Sequence, residues 1–304
     1  MKKILITGSN GFIGSHLCDY YSDLNFSVTG VDMFSPTREL KYNFIRVDLG
    51  NDDINKLLYL IDPDIIIHCA GSADVGNSIK YPFNDFSGNT ILLHKFLFSM
   101  HECNLRKCRF VFLSSAAVYG EPQGLPIYEE TGLNPLSPYA LHKKLCEDIC
   151  LFFNKNYRFN IKIARVFSAY GPGLKKQIFW DMHKKISNTK YLNMFGTGNE
   201  SRDYIYIDDL VRALYLISID DDSKNATFNV ANGEEIKIDE IAHIFANEND
   251  FPLSKVIFDG NNREGDPLNW RADITKLLKL GYEKKIDIKT GICQYIKWIK
   301  DNNL

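Results

Sequence analysis

The sequence predicts an α/β protein with a doubly wound parallel sheet, because short β-branched runs alternate with longer segments of helical periodicity. The first five segments are KILIT, FIGSHLCDYYSDL, SVTGVD, DINKLLYLI and DIIIHCA. Two later runs, RFVFLSS and NIKIARVF, continue the series, with helices expected at 83–101 and 137–157. A glycine-rich turn between the first strand and the first helix supports the same fold. We expect about six or seven strands with helices on both faces of the sheet.

The regular alternation weakens after Phe167, where glycine-rich turns separate shorter elements. We therefore expect a dinucleotide-binding domain over 1–167 and a second, smaller, interleaved α/β lobe over 168–202 and 233–304. The segment DYIYIDDLVRALYLI predicts a further strand and helix, so that 203–232 would return to the first domain.

Composition limits the classes of partner and compartment. With 36 basic and 38 acidic residues and no basic run, the chain is not expected to bind nucleic acid or an anionic membrane surface. The apolar start MKKILITG is too short for a signal sequence, and no apolar span of about 18 residues follows. The seven cysteines lack CxxC spacing, so we expect reduced thiols, no metal site and a cytoplasmic protein.

The stretch TGSNGFIG directly follows the first predicted strand and opens the first predicted helix. Glycines there let the chain turn tightly, and backbone amides at a helix N-terminus can bind a pyrophosphate. The loop is G-x-x-G-x-x-G rather than the usual G-x-G-x-x-G, but its position is right for a dinucleotide. The predicted cofactor-binding residues of this loop are Gly8, Asn10, Gly11, Phe12, Ile13 and Gly14.

Asp32 ends the second predicted strand, 18 residues past Gly14. A carboxylate at this place accepts hydrogen bonds from the adenosine ribose and repels a 2′-phosphate, so NAD is favoured over NADP. Two alternatives stay open: Arg38 lies near enough in sequence to offset that repulsion, and an aspartate at a strand end can simply cap a turn.

The stretch SPYALHKKLC places Tyr139 and Lys143 one helical turn apart on one face. An ammonium in that position favours the ionised form of the phenol, which would make Tyr139 a base. Taken alone, the pair fits a packing face or a solvated face equally well.

These motifs together resemble those of the extended short-chain dehydrogenases/reductases, in particular the nucleotide-sugar epimerase and dehydratase group that includes UDP-galactose 4-epimerase. TGSNGFIG is similar to the family's TGxxGFIG, FLSSAAVYG to its strand with the catalytic Ser or Thr, and YALHK to its YxxxK. The likeness continues through RVFSAYGPG, GNESRDYIYIDDL and REGD to nearly the whole chain. It implies a Rossmann fold with bound NAD.

The resemblance also implies residue roles. Ser115, Tyr139 and Lys143 would be catalytic, and Tyr139 and Lys143 would also contact the cofactor. Asp48 and Leu49 would lie beside the adenine, and Ala70, Gly71 and Asn89 along the cofactor. The residues implied to bind a nucleoside diphosphate (NDP) sugar in the second lobe are Ser168, Asn193, Phe195, Arg202, Arg263 and Asp266.

In the family, the helices at 83–101 and 137–157 form a four-helix interface, so the resemblance implies a homodimer. The apolar residues on these segments occupy more than the one helix face that can pack on the sheet. Those expected to supply the interface or the sheet contact are Phe86, Leu93, Leu97, Met100, Leu145, Ile149 and Phe152.

The leading function is an NAD-dependent nucleotide-sugar 4-epimerase, in which C4 is oxidised transiently and the hydride returns to the other face. Ala116 and Ala117 stand where the family's dehydratases have Asp-Glu, so dehydration is disfavoured. The alternative is an NDP-4-keto-6-deoxysugar 4-reductase, and a third possibility is a non-catalytic dinucleotide-binding module. Ser168 stands where many epimerases have Asn, and Asp74 stands where a neutral residue is commoner. These two departures leave the identity of the sugar open. A place in polysaccharide biosynthesis is also expected.

Overall fold

The fold is that of a computed structural model, which describes residues 1–223, 226–261 and 267–304. Its strands, in chain order, are β1 (Lys3–Thr7), β2 (Ser27–Asp32), β3 (Asn43–Arg46), β4 (Ile65–His68), β5 (Arg109–Ser115), β6 (Asn160–Val166), β7 (Ser168–Tyr170), β8 (Leu192–Met194), β9 (Ser201–Arg202), β10 (Tyr204–Tyr206), β11 (Thr227–Val230), β12 (Ile236–Lys237) and β13 (Val256–Phe258).

The helices, in the same order, are α1 (Phe12–Asp23), α2 (Ile54–Ile61), α3 (Val75–Lys80), α4 (Pro82–Phe86), α5 (Leu92–Glu102), α6 (Pro138–Tyr157), α7 (Gln177–Asn188), α8 (Ile207–Ile219), α9 (Ile238–Asn247), α10 (Thr275–Lys279) and α11 (Ile288–Asp301). A π-helical turn over Ser87–Ile91 joins α4 to α5, and a short 3₁₀ turn over Ala116–Tyr119 follows β5. The helix predicted at 137–157 is confirmed as α6. The single helix predicted at 83–101 is instead α4, the π-turn and α5.

The central sheet has seven parallel strands in the order β11-β6-β5-β4-β1-β2-β3. The predicted doubly wound parallel sheet is therefore confirmed. The direction in which the chain adds strands reverses between β1 and β4. In such sheets a crevice opens at the carboxyl ends of the strands on either side of the reversal, and ligands bind there.

Both faces of the sheet are covered, as parallel sheets require. Along β1, the alternate residues Ile4 and Ile6 pack with α1 and α8, while Leu5 packs on the opposite face with α2, α5 and α6. The first of these cores continues into the second lobe through Tyr170, Phe179 and other buried residues. The two lobes therefore share a hydrophobic core.

The second lobe is built on three small two-stranded sheets, β10 with β7, β13 with β8, and β12 with β9. The predicted strand at Tyr204–Tyr206 does form, but it pairs with β7 and does not enter the central sheet. The segment after β10 does return to the first domain. Helix α8 packs on α1, where Tyr21 OH lies 2.5 Å from Ser218 Oγ, and β11 extends the sheet beside β6.

The apolar residues of α5 and α6 divide into a buried set and an exposed set. Leu93, Leu97 and Met100 are fully buried against the sheet. They therefore supply the sheet contact and not the dimer interface. The side chains that remain about half exposed on these helices and on the adjoining π-turn are Ile91, Phe98, Leu141, Leu151 and Phe152. Among the residues that the structure describes, no helix is both long and apolar enough to cross a membrane.

Candidate active site

The glycine loop joins β1 to α1 at the crevice. Gly8 has φ +67°, and a Cβ there would lie 2.8 Å from the Ala70 amide nitrogen. A Cβ on Gly14 would lie 2.2 Å from Gly8 O, so any side chain at either position would collide with backbone. Gly11 donates to Gly8 O at 3.0 Å and precedes α1 without a side-chain cap. The first-turn amides of α1 therefore remain available to an anion.

Asp32 connects this loop to the segment after β2. Its Oδ2 accepts from the Asn10 amide at 3.1 Å, and its Oδ1 accepts from the Phe34 amide at 3.1 Å. Asn10 Nδ2 also donates to Phe34 O at 2.5 Å. The guanidinium of Arg38, which sequence left as a possible partner for a 2′-phosphate, instead forms an exposed ion pair with Asp19 at 2.9 Å.

A cavity of about 320 Å³ lies beside Asp32, bounded by Met33, Phe34, Arg46, Val47, Asp48 and Asp52. Hydrogen bonds from Asn51 Nδ2 and the Gly50 amide, at 2.8 and 2.9 Å, lower the pKa of Asp48 from its ordinary value. Leu49, in contrast, has its side chain in the core, so that only its backbone can border a ligand here.

The end of β4 forms the other wall of the crevice. The Ala70 amide donates to Thr7 Oγ1 at 3.1 Å, which leaves the threonine hydroxyl to donate to His68 Nδ1 at 3.0 Å. Burial, and then the charge of Lys143, lower the pKa of His68 to about 3, so the ring is neutral. Asn89, in the π-turn, is buried beside Gly71.

The three residues predicted to be catalytic lie at the end of β5 and on the first turns of α6, which packs against β5. Ser115 is the last residue of β5, and its Oγ accepts from the Ala117 amide at 3.2 Å. Tyr139 and Lys143 are buried on the first turns of α6, whose N-cap is Ser137. Lys143 Nζ donates to Leu113 O at 2.9 Å and lies 5.9 Å from the Tyr139 ring centroid. The hydrogen bond to Leu113 joins α6 to the strand that ends at Ser115.

A buried polar network holds α6 to this strand end. Ser114 Oγ donates to Glu147 at 2.5 Å, and Arg165 binds the same carboxylate through Nε and Nη2, at 3.0 and 2.7 Å. Arg165 Nη1 also donates to Tyr119 OH and to Glu129 O, both at 2.8 Å. Sequence analysis missed this network, because its members are distant in the chain.

The residues predicted to bind the sugar nucleotide lie in several places. Ser168 begins β7, and its amide donates to Asp203 O at 3.0 Å. Arg202 donates through Nη1 to Ser201 O and Leu268 O, and its guanidinium lies 5.5 Å from the Trp270 ring centroid. Asn193 and Phe195 are exposed at β8, where Lys185 donates to Asn193 O at 2.6 Å. Arg263 and Asp266 lie outside the described residues.

A small cavity links this region to the catalytic residues. It has a volume of about 50 Å³ and is lined by Val75, Ala117, Gly120, Leu136, Ser137, Ala140, Pro267 and Trp270. Trp270, the stacking partner of Arg202, thus faces Ala117 and Ala140, which are close in the chain to Ser115 and Tyr139 respectively. Asn193 and Phe195 do not line this cavity.

The sequence model of the NAD dependent epimerase/dehydratase family matches residues 4–231, three quarters of the chain. The chain belongs to this family. The family predicted from the motifs is therefore confirmed, and so are the enzyme class and the cofactor NAD.

Family members similar to this chain match it over nearly its whole length. A protein of Methanocaldococcus jannaschii named "Putative UDP-glucose 4-epimerase" is 33% identical, over 99% of both chains. The structure of UDP-glucuronic acid 4-epimerase from Bacillus cereus, in complex with UDP-glucuronic acid and NAD, has a TM-score of 0.90 with 28% identity and 99% coverage of both chains. UDP-N-acetylglucosamine 4-epimerase from Methanobrevibacter ruminantium M1 has a TM-score of 0.87, also with 28% identity and 99% coverage.

NAD fits the residues around the crevice. At Gly8 and Gly14 a side chain would collide with the backbone of the turn, and the N-terminus of α1 that follows has no side-chain cap. Ser9 Oγ and Asn89 Oδ1 are buried polar atoms that have no partner among the described residues. We propose that the glycine loop holds the pyrophosphate, Asp32 the adenosine ribose, and Asn89, Tyr139 and Lys143 the nicotinamide end.

Sequence analysis singled out Asp74 but missed the lysine beside it. Asp74 caps α3 by accepting from the Asn77 amide at 2.8 Å, and Lys176 Nζ donates to the adjacent Ala73 O at 3.0 Å. Desolvation lowers the pKa of Lys176, and the charge of Asp74 opposes this shift. The two residues are 102 positions apart, so no local pattern could have connected them.

Proposed function

We propose that the chain is an NAD-dependent nucleotide-sugar 4-epimerase whose substrate is a uridine diphosphate (UDP) sugar. The observation that carries the proposal is the bond from Lys143 Nζ to Leu113 O, which brings the face of α6 with Tyr139 and Lys143 to the strand end with Ser115. The names of the relatives described above, all UDP-sugar 4-epimerases, support this activity and the uridine base.

Each catalytic residue has a distinct proposed role. When bound, NAD would supply the acceptor and donor of hydride that oxidation and reduction at C4 of the sugar require. Tyr139 removes the proton of the C4 hydroxyl and later gives it back. Ser115 donates a hydrogen bond to the same oxygen as it becomes a ketone. Lys143, fixed at Leu113 and one helical turn from Tyr139, binds the nicotinamide ribose.

The residues after Ser115 argue against elimination of water. Ala116 and Ala117 form the 3₁₀ turn and have only methyl side chains, which cannot serve as an acid or a base. The small side chain of Ala117 instead leaves space at the cavity that it borders with Trp270. We propose that the sugar lies at this cavity, with Arg202 beside Trp270 available to the diphosphate through Nε and Nη2, which have no hydrogen-bond partner among the described residues.

The experiment that tests the function is incubation of the purified protein with a panel of UDP-sugars, including a UDP-4-keto-6-deoxysugar, with and without added NADH or NADPH. Inversion at C4, followed by NMR of the sugar, is expected without net consumption of coenzyme. Stoichiometric oxidation of NADH or NADPH with a 4-keto-6-deoxysugar, and no inversion of any UDP-sugar, would instead identify the reductase.

We further propose a homodimer formed through α5 and α6. Supporting this, ring contacts run without a break from Phe98 through His101 and Tyr157 to Phe152, with centroids 6.3, 4.4 and 6.0 Å apart. Through the half-buried rings of His101 and Tyr157 they connect the exposed Phe98 of α5 with the exposed Phe152 of α6. A contiguous apolar surface of this kind is typical of an interaction site.

Three further predictions remain proposals. The first is the division into domains, in which residues 1–167 and 203–232 bind the cofactor and residues 168–202 and 233–304 bind the sugar nucleotide. The cytoplasmic location is supported by seven unpaired cysteines, four of them buried. A role in polysaccharide biosynthesis rests only on the class of substrate.

A further inference from the structure

Three polar residues from different elements meet under the cofactor crevice. Asp85 is the penultimate residue of the short helix α4, Asn89 lies in the π-turn that follows, and His142 precedes Lys143 on α6. All three are buried, with 3%, 4% and 7% of their surfaces exposed. We propose that Asp85 and His142 are positioning residues that orient the Asn89 amide, so that its carbonyl oxygen can accept a hydrogen bond from the bound cofactor.

The contacts of Asn89 determine which way its amide faces. Nδ2 donates to the backbone oxygen of Asp85 and to its Oδ2, both at 3.1 Å. Since a backbone carbonyl can only accept, the atom facing it must be the amide nitrogen. The amide oxygen is consequently turned away from Asp85. It lies toward Gly71, where a Cβ would be only 2.7 Å from Asn89 Oδ1.

His142 holds the Asp85 carboxylate in place. Its Nδ1 lies 2.7 Å from Asp85 Oδ2, the same oxygen that accepts from Asn89. The Phe86 ring packs edge-on against the imidazole at 5.3 Å between centroids, and Thr90 donates to His142 O at 3.4 Å. The π-turn is thereby attached to α6 immediately beside Lys143. A carboxyl group bound from two sides has little freedom to rotate and release the amide.

The cluster leaves acceptors without donors. Asn89 Oδ1 and Asp85 Oδ1 are both buried and have no hydrogen-bond partner among the residues that the structure describes. A buried acceptor costs free energy unless a donor reaches it, so a donor from outside the chain is expected. NAD has suitable donors in its ribose hydroxyls and its carboxamide. The π-turn, a form of helix often found at functional sites, places Asn89 at the wall of the crevice.

The proposal is tested by titrating the purified protein, freed of bound nucleotide, with NADH and following fluorescence. Asn89→Ala and Asp85→Leu are each expected to raise the Kd for NADH about tenfold, the equivalent of about 1.4 kcal/mol. Asp85→Asn keeps an oxygen that can accept from both neighbours and is expected to stay within about twofold of the wild type. Lys144→Ala, which breaks the exposed ion pair with Asp148 on the same helix, is the control and should change nothing.

A double-mutant cycle separates positioning from general damage to the fold. If Asp85 acts through Asn89, the double variant Asp85→Leu with Asn89→Ala should show the same tenfold loss as either single variant. A loss of about a hundredfold, the product of two independent effects, would overturn the proposal. An unchanged Kd in either single variant would overturn it as well.

His142→Phe provides the same test if Asp85→Leu does not fold. The variant keeps an aromatic ring but loses the Nδ1 contact with Asp85. We therefore expect a smaller rise in the Kd for NADH, of about threefold, and no further rise when Asn89→Ala is already present. The inference rests on the proposed role of Asn89 at the cofactor. Because NADH binding requires no sugar, failure of the epimerase assay and failure of this test can be told apart.

Discussion

At the scale of single residues, Lys143 shows how a buried cation is fixed in place. Its Nζ donates to Leu113 O and lies 4.9 Å from the Phe112 ring centroid. A buried ammonium is costly unless it is bonded in this way. Because the partner is a backbone atom of β5, the position of Lys143 does not depend on a flexible side chain. The lysine can therefore act on Tyr139 and on the cofactor from one fixed site.

Tyr139→Phe should abolish most of the activity and leave the fold intact. The ring is retained and only the proton-transferring oxygen is lost, so turnover should fall by about 10²–10⁴-fold. Affinity for NADH and thermal stability should stay near those of the wild type. Initial rates on an accepted UDP-sugar measure the effect, with Tyr59→Phe on the exposed face of α2 as the matched control. Near-normal turnover of Tyr139→Phe would mean that the residue has only a packing role.

Asp32→Ser should weaken NADH binding and relax the discrimination against NADPH. The substitution removes a ribose acceptor and a source of repulsion together, at a cost of about 1–3 kcal/mol in NADH affinity. Fluorescence titration with both coenzymes measures it. Asp23→Ser removes a carboxylate of the exposed pair with Lys41 and is the control. Equal affinities of the wild type for NADH and NADPH would contradict the assignment.

The residues that could be predicted from sequence are those whose partners are local. The glycine loop and the pair Tyr139 and Lys143 follow from short spacings within one turn or helix, and Asp32 follows from its place at the end of the second strand of the βαβ unit. The contacts of Glu147 with Arg165 and of Asp85 with His142 span 18 and 57 residues. Such pairs depend on how α6 packs against the sheet and against α4, which no local pattern specifies.

At the scale of elements, the segment predicted as one helix at 83–101 shows the limit of periodicity. The π-turn over Ser87–Ile91 inserts a wider turn, which shifts the face of the helix relative to a 3.6-residue repeat. Apolar residues before and after the turn can each follow the helical period although the helix between them is irregular. Sequence therefore indicated helical structure here but not its interruption at Asn89.

Strand existence was easier to predict than strand pairing. β1, β2, β4, β5 and β6 are β-branched or apolar runs and were all expected. β3 is a short, partly exposed edge strand, and it escaped notice because it lacks such a run. The run at Tyr204–Tyr206 forms a strand, yet its burial on all three residues does not reveal that β7 is its neighbour. Pairing is decided by the packing of the second lobe.

The buried His68 of β4 should make the protein sensitive to mild acid. Its surroundings include Phe96, Phe110 and Phe112, and burial followed by Lys143 lowers its pKa to about 3. The unfolded chain has the ordinary histidine pKa of about 6.5, so between these values the unfolded state binds more protons. Stability is therefore lost as the pH falls below about 6.5, by about 2 kcal/mol at pH 5 relative to pH 7.

His68→Asn keeps an acceptor for Thr7 but cannot take up this proton. Urea unfolding at pH 7 and pH 5 should show that the loss of unfolding free energy between the two values is smaller in the variant by about 2 kcal/mol. The variant itself should be less stable at pH 7, because it leaves a cavity among the phenylalanines. The same pH dependence in both proteins would show that His68 does not titrate on unfolding.

At the scale of the whole molecule, the two lobes are held together by a shared core and by chain crossings. Helix α8 and β11 lie between segments of the second lobe in sequence but pack on the central sheet. The cavity at the end of β5 is bordered by both lobes, by Ala117 and Ala140 of the first and by Trp270 of the second. This arrangement suits a reaction in which cofactor and sugar nucleotide must meet at one carbon atom.

The surface of α5 and α6 makes the assembly testable. Phe98, Leu141 and Phe152 are 45%, 47% and 54% exposed on two adjacent helices. An apolar surface of this kind is stabilised when a second copy covers it, and a two-fold contact between identical helices is self-complementary. Light scattering at micromolar concentration should give twice the chain mass of 34.9 kDa.

Phe152→Asp should shift this mass toward that of the monomer, because each contact would bury a charge without a partner on both subunits. Leu60→Asp on α2, where the side chain is 73% exposed, adds the same charge outside the proposed interface and should leave the mass unchanged. NADH affinity should change little in either variant, since neither residue lies at the crevice. A wild-type mass of one chain, or equal dissociation by both variants, would exclude α5 and α6 as the dimer interface.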